Sequence, residues 1–305
     1  MNTEWLETFL CIAQTGAVSV AARTLYLSQS TVSARLAALE EELGYPLVER
    51  ARGKRQTELT PEGYRFISIA RNMVELKNAA LGGREESIRV RIAGVYSLND
   101  SLLPVFYGRL LKNRPHFRCH LRSVRSEDMY LMLEGRECDF CFGTVLQNRR
   151  EIRVKELFSQ KMVVIMKSRN PQETQTIHPH DLDPEKEIQL HAENELVQWH
   201  DYWWKTTQRI RVDSPSLLEK MLLQQEEDGE EGFWALVPLS IVSSLPYPVQ
   251  VYELSAAPPE RICYLLERTG PYPGNMREQF LEELEAFVRD ETIQNRFGLK
   301  ILLDK

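Results

Sequence analysis

Residues 18–55 read VSVAARTLYLSQSTVSARLAALEEELGYPLVERARGKR, and their spacing decides the fold of the N-terminal region. Val20, Ala21, Ala22 and Leu25 give a short helix one apolar side, and the small alanines let a second helix approach closely. Tyr26 and Leu27 end it. Ser28 is suited to cap a second helix, in which Val32, Leu36, Leu39 and Leu43 recur at three- and four-residue steps until Gly44 stops it. The opposite face carries Gln29, Ser30, Thr31, Ser33, Ala34 and Arg35. These are short hydrogen-bonding groups and one long cation, the composition of a helix whose first turns enter the major groove, where Gln pairs with adenine and Arg with guanine. The acids Glu40, Glu41 and Glu42 come only later.

Downstream, residues 45–50 and 56–60 read as two short strands around Arg52-Gly53-Lys54. Arg50, Arg52, Lys54 and Arg55 put four cations in six residues at the hairpin tip. A basic wing beside a reading helix contacts backbone or minor groove. The alternative is a small helical domain whose Ser, Gln and Arg merely face solvent, since the same geometry occurs in proteins that never meet DNA. Helix spacing, missing acids on the reading face and the wing together favour DNA.

Upstream, Trp5, Leu6, Phe9, Leu10 and Ile12 or Ala13 recur at helical spacing and pack this domain's core. After the wing, Thr60 caps and Pro61 opens a helix in which Phe66, Ile69, Met73, Leu76 and Ala80 form one apolar side until Gly82-Gly83. At about 1.5 Å per residue this helix is about 30 Å long. It either pairs with the same helix of a second subunit or folds back on its own domain.

Residues 1–65 resemble the N-terminal domain of the LysR-type transcriptional regulators. The matching positions are Ala21-Ala22, Leu25, Ser28-Gln29-Ser30, Val32-Ser33, Leu39-Glu40, Leu43-Gly44, Leu47, Arg50, Leu59-Thr60 and Gly63. Val48 stands where the family usually has Phe, and Ala17 where it often has Ser. The resemblance implies an α+β multidomain chain: a winged helix-turn-helix at 1–60, a linker or dimerisation helix at 61–85 and an effector-binding domain at 86–305. It implies a sequence-specific regulator without cofactor or catalysis, binding an interrupted inverted repeat in double-stranded DNA as a homodimer or homotetramer. A small-molecule effector and RNA polymerase are its further partners. On this reading Gln29, Ser30, Thr31, Ser33 and Arg35 read bases, Arg52, Lys54 and Arg55 grip backbone or minor groove, and Ser28 and Arg50 belong to the same DNA-binding surface.

From Ser87 the periodicity changes to strand, helix, strand, helix, strand: 88–92, then 102–111, 117–123, 126–134 and 138–142, which predicts a parallel sheet. A second series begins after Lys155, with strands at 161–167, 187–190, 233–237, 249–254 and 259–266 and helices at 215–225 and 274–290. This pattern resembles the family's two-lobed, periplasmic-binding-protein-like effector domain, with Gly135, Asp139, Gly143 and Pro238 as its few fixed residues. Lobe I is expected at about 86–158 and 266–305, lobe II at about 159–265. Where the family has a short turn, residues 224–234 are long and acidic; that loop either disfavours anionic ligands or is a solvated surface. Residues 292–305 end in an apolar run that reads as an added strand or a packing arm.

Ligands of open α/β lobes sit outside the carboxyl ends of strands. That points to Ser97, Asn99, Ser126, Met129 and Thr144 in the first lobe and Gln198, Trp199 and His200 in the second as effector contacts. Each has an ordinary alternative as a cap or turn residue.

Cys138 and Cys141 form a CxxC, but residues three apart on one strand point to opposite faces, and zinc would need a second ligand pair. The five cysteines therefore read as core residues, and no metal is expected. The net charge of -6 is unevenly spread: residues 17–35 hold two arginines and no acid, and acidity belongs to the C-terminal two-thirds. No stretch approaches a membrane span and no secretory signal is evident, so the protein is expected in the cytoplasm. An enzyme with a DNA-binding head would need converging acid, base or nucleophile, and a solute-binding protein would lack the basic wing.

Overall fold

The structure, a computed structural model, describes residues 2–50, 57–80, 87–191, 194–205, 210–224 and 232–303. The chain divides into two compact units at the Ser87–Ile88 junction.

The first unit orders helices α1 (Thr3–Thr15), α2 (Val18–Thr24) and α3 (Gln29–Leu43), hairpin strands β1 (Val48–Arg50) and β2 (Thr57–Leu59), and helix α4 (Pro61–Ala80). Local chemistry sets the boundaries. Asn2 caps α1 by accepting the Glu4 N–H, and Gly16 ends it in left-handed backbone, φ 68°. Tyr26 turns the chain after α2 at φ 55°, and Leu27 N–H returns to the Ala22 carbonyl at 2.9 Å. Leu6, Phe9, Ile12, Ala21, Ala22, Val32, Leu36, Leu39, Leu47 and Phe66 then close one core. The hairpin is antiparallel, Val48 opposite Leu59 and Arg50 opposite Thr57. Arg52, Lys54 and Arg55 of the expected wing tip lie outside the described residues, as do Gly82 and Gly83 and the acidic run 226–231.

Helix α4 departs from the single apolar stripe expected of it. Phe66 and Ala70 are buried in the helix's own domain, Phe66 with its ring centroid 5.6 Å from that of Phe9, while Ile69 and Leu76 are 47% and 64% exposed. At about 3.6 residues per turn the two sets lie about a quarter-turn apart, close enough to read as one stripe in sequence.

The second unit opens with β3 (Ile88–Val95), α5 (Tyr96–Asn99), α6 (Leu103–Asn113), β4 (Phe117–Val124), α7 (Ser126–Glu134), β5 (Phe140–Gly143) and β6 (Ile152–Gln160). It continues with β7 (Met162–Lys167), β8 (Gln175–Ile177), β9 (Ile188–Leu190), α8 (Asn194–Trp203), β10 (Ile210–Val212), α9 (Pro215–Leu223), β11 (Trp234–Pro238), α10 (Leu239–Val242) and β12 (Val249–Leu254). β13 (Arg261–Arg268), α11 (Met276–Val288), α12 (Glu291–Phe297) and β14 (Leu299–Ile301) complete it.

The larger sheet has the order β14-β6-β13-β5-β3-β4. Only β3 with its neighbours β4 and β5 is parallel; the remaining pairings are antiparallel. The expected parallel sheet is therefore mixed. Helices α6 and α7 supply the crossovers that parallel strands need, whereas β6 and β13 carry the chain between lobes in opposite directions. The smaller lobe holds β11-β7-β12-β8 and the parallel pair β9–β10, tied to β11 through Glu187 and Trp234. The lobes exchange chain at Lys161 and at residues 255–260, earlier on the return than the expected 265 because β13 pairs with β6 along its whole length. An apolar run announces a strand but not the sheet it joins. The C-terminal tail is an added edge strand, Leu299 lying opposite Gln160.

Cys138 precedes β5 rather than lying on it, so the strand expected from 138 begins at Phe140. Cys138 and Cys141 are fully buried free thiols, and burial pushes the Cys263 thiol up to about 12. Among the described residues no group of three or more His, Cys, Asp or Glu side chains is placed to hold a metal ion, and no single helix is long and apolar enough to cross a membrane.

Candidate nucleic-acid interface and ligand cleft

The N-terminal turns of α3 are built from hydroxyls. Ser28 Oγ accepts the Thr31 N–H at 3.1 Å and lies 2.8 Å from Ser30 Oγ and 2.7 Å from Thr31 Oγ1. Ser28 is thus the cap that fixes the helix start. Gln29 and Ser30 are exposed, Thr31 and Ser33 half-buried, and Gln29 makes no hydrogen bond to a described residue. Arg35 is half-buried and its guanidinium is engaged by Glu4 of α1, a partner that only the packing of α1 against α3 brings within reach. The wing is less uniformly basic than the run of cations suggested: Glu49 and Glu58 stand directly opposite each other across β1 and β2. Glu40 has a structural task, its Oε1 accepting the Leu47 and Val48 N–H groups at 2.7 and 3.1 Å and so holding the entry to β1.

In the second unit, three of the eight expected effector contacts come together. Ser126 Oγ accepts the Thr144 N–H at 3.1 Å and lies 3.0 Å from Thr144 Oγ1. Arg261, at the start of β13, donates through Nη1 to Ser97 Oγ at 2.6 Å and through Nη2 to Thr144 Oγ1 at 3.5 Å. Tyr130 fastens the loop after Thr144, its hydroxyl donating to the Val145 carbonyl at 2.9 Å and accepting the Gln147 N–H at 2.8 Å. Burial, then the charges of Glu156 and Glu195, hold the Tyr264 phenol above its ordinary value.

The other five are placed otherwise. Asn99 brackets β3 to β4: its Nδ2 donates to the Gly94 and Arg122 carbonyls and to Ser123 Oγ, and its Oδ1 accepts from the Tyr107 hydroxyl at 2.8 Å. Met129 is fully buried against Gly143. His200 is only 3% exposed, its Nε2 2.6 Å from Glu187 Oε2, so the ring is closed inside the smaller lobe, contrary to its expected place in the cleft. Trp199 packs edge-on to Trp204, ring centroids 5.6 Å apart, and Gln198 is exposed on α8.

Two family models cover nearly all of this architecture. One, described as a bacterial regulatory helix-turn-helix protein of the lysR family, matches residues 3–64; the other, the LysR substrate binding domain, matches residues 83–289, more than half of the chain. The chain belongs to the LysR family. Among relatives of this LysR-family chain, the HTH-type transcriptional regulator HdfR of Yersinia enterocolitica is 31% identical over 147 residues, 47% of this chain and 50% of the relative. The HTH-type transcriptional regulator ClcR of Pseudomonas putida is 27% identical over 169 residues, 53% and 56% of the two. The chain thus spans about half the length of these curated relatives in the matched regions. A full-length OxyR of Pseudomonas aeruginosa superposes with TM-score 0.68 at 20% identity, covering 95% of both chains. CbnR, in a complex with its target DNA, superposes with TM-score 0.66 at 16% identity over 94% of this chain and 99% of its own. These likenesses establish the LysR fold over the length of the chain.

What sequence reasoning missed in the LysR-family cleft is Arg261. Its only signal was a cation opening the otherwise apolar strand RICYLL, a place where a crossing strand passes between lobes. Gln160, Ser240 and Ser101 extend the same polar seam, Ser101 Oγ donating to Ser240 Oγ at 3.2 Å and Ser240 Oγ to Gln160 Oε1 at 3.3 Å.

Proposed function

We propose that the protein is a transcriptional regulator that reads double-stranded DNA with the first two turns of α3 and answers to a small molecule bound between the lobes of its second unit. The observation that carries the reading is the capped, acid-free start of α3. Gln29 and Ser30 stand exposed there, beside a winged hairpin, in a chain of the LysR family. Gln29, Ser30, Thr31 and Ser33 lie against base edges; Arg35 exchanges Glu4 for a base or phosphate on binding; Arg50, Arg52, Lys54 and Arg55 hold the backbone. Ser28 positions these groups through the cap.

The exposed Ile69 and Leu76 of α4 are the side that pairs with a second subunit, so a dimer, or a tetramer of two dimers, binds an interrupted inverted repeat. Ser97, Ser126, Thr144 and Arg261 form the effector site, with α8 closing it. The protein acts in the cytoplasm where its DNA is, contacts RNA polymerase from that DNA, and needs neither cofactor nor catalysis. Selection of bound sites from random duplex DNA at fixed salt tests the proposal. Enrichment of an inverted repeat is the outcome it predicts; recovery of unenriched sequences by a folded dimer sinks it.

A further inference from the structure

Besides the Ser101–Ser240 seam and the bond from Ser243 Oγ to the Arg296 carbonyl, two contacts tie the lobes together at the start of α9. Asp100, next to Asn99 at the end of α5, accepts through Oδ2 the Ser216 N–H at 3.3 Å and the Ser216 hydroxyl at 2.9 Å. Ser216 is the second residue of α9, and Ser214, in that helix's own capping position, makes no side-chain capping bond. The start of α9 is therefore capped from the other lobe. Arg125, immediately before Ser126, donates through Nη2 to Asp213 Oδ2 at 2.9 Å, with the two side chains 52% and 59% exposed. One short segment of the smaller lobe, Asp213-Ser-Pro-Ser216, thus grips the two segments of the larger lobe that carry Ser97 and Ser126.

Neither contact is strong. Losing a helix cap shifts an equilibrium about fivefold, and an exposed ion pair by about two- to fivefold, less at high salt. Together they bias the lobes by about tenfold, which suits a contact that must be made and broken rather than one that builds a core.

We propose that Asp100, Arg125, Asp213 and Ser216 form a latch that holds the lobes closed over the cleft, and that its opening and closing set ligand entry and retention. The regulatory half of this inference rests on the cleft being the effector site; the latch itself does not. The dual grip places the bias where it acts on the site directly, since opening draws the α9 start away from the segments bearing Ser97 and Ser126.

The test is an interlobe distance in the full-length protein, with spin labels on non-natural residues replacing the exposed Leu131 of α7 and Tyr202 of α8, so that native thiols are untouched. Pulsed dipolar spectra are compared for the otherwise unaltered chain, Asp100→Ala, Arg125→Asp, these two combined, and Arg125→Asp combined with Asp213→Arg. The latch predicts a longer-distance population in each single variant, about a tenfold rise in the open-to-closed ratio when Asp100→Ala and Arg125→Asp are combined, and recovery in the charge swap. Unchanged distances in variants that unfold as cooperatively as the parent overturn it, as does a charge swap that restores nothing. If Asp100→Ala fails to fold, the Arg125 series decides alone. Because no DNA or effector is present in the measurement, a failed latch and a failed regulator reading give separate results.

Discussion

Replacing Gly63 by alanine should destabilise the N-terminal unit, against the general trend for helices. Gly63 is the third residue of α4, and alanine there would ordinarily gain about 1 kcal/mol over glycine. A Cβ on Gly63, however, meets the Leu47 carbonyl oxygen at 2.1 Å and its carbon at 3.0 Å, far inside the roughly 3.5–4.0 Å of an ordinary contact. That carbonyl is not free to swing away. It accepts the Thr60 N–H at 3.1 Å, and Leu47 N–H is itself held by Glu40 at 2.7 Å. Overpacking costs about 1–3 kcal/mol and loss of the Thr60 bond about 1 kcal/mol more, so the net change is about 2 kcal/mol of destabilisation. For a unit of this size that lowers its melting temperature by about 10 °C. Gly108, exposed on α6 with nothing within 4 Å of a built Cβ, is the internal control: Gly108→Ala should gain up to about 1 kcal/mol. Calorimetry of the full-length chain and both variants reads the two signs. A Gly63→Ala protein as stable as the parent would refute the close-approach argument.

Other consequences are as direct. Asp139 is 3% exposed and takes a bidentate bond from Arg91, so Arg91→Met should cost about 3–5 kcal/mol in urea unfolding of the second unit; a loss below 1 kcal/mol would contradict a buried pair. Burial, with Glu219 adding to it at Tyr247, holds Cys263 and Tyr247 up at about 12. Above about pH 9 the unfolded chain therefore gives up protons that the folded one keeps, and stability should fall as pH rises from 9 toward 12; a flat profile there would be inconsistent. Cys138, Cys141 and Cys263 should react with an aromatic disulfide reagent at pH 8 only as fast as the protein opens, and instant modification of all three would be contrary to their burial. Glu58→Gln relieves the like-charge pair with Glu49 and should raise DNA affinity about two- to fivefold at low salt, an advantage that vanishes as salt is raised.

The parts legible in the sequence were those governed by near neighbours along the chain. Ser28, Thr60 and Gly44 mark helix ends through contacts within four residues, and the Val32-Leu36-Leu39 stripe is buried as its spacing requires. What stayed hidden depends on partners far away in sequence. Arg35 meets Glu4 from another helix, and His200 looked like a cleft residue although Glu187 lies beneath it. Arg261 lay in an apolar strand that gave no hint of reaching Ser97. The α4 stripe failed for another reason, since one apolar face packs into the domain and the other, a quarter-turn away, is exposed.

The central claim is that the start of α3 reads bases. Site selection should be run in parallel with the parent protein and Gln29→Ala, at one salt concentration, because the Gln29 side chain is exposed and makes no hydrogen bond to a described residue. The account predicts that both proteins recover the same inverted repeat, with preference lost at one symmetric pair of positions in the variant and the salt dependence unchanged. Identical base preferences in the two profiles would contradict it.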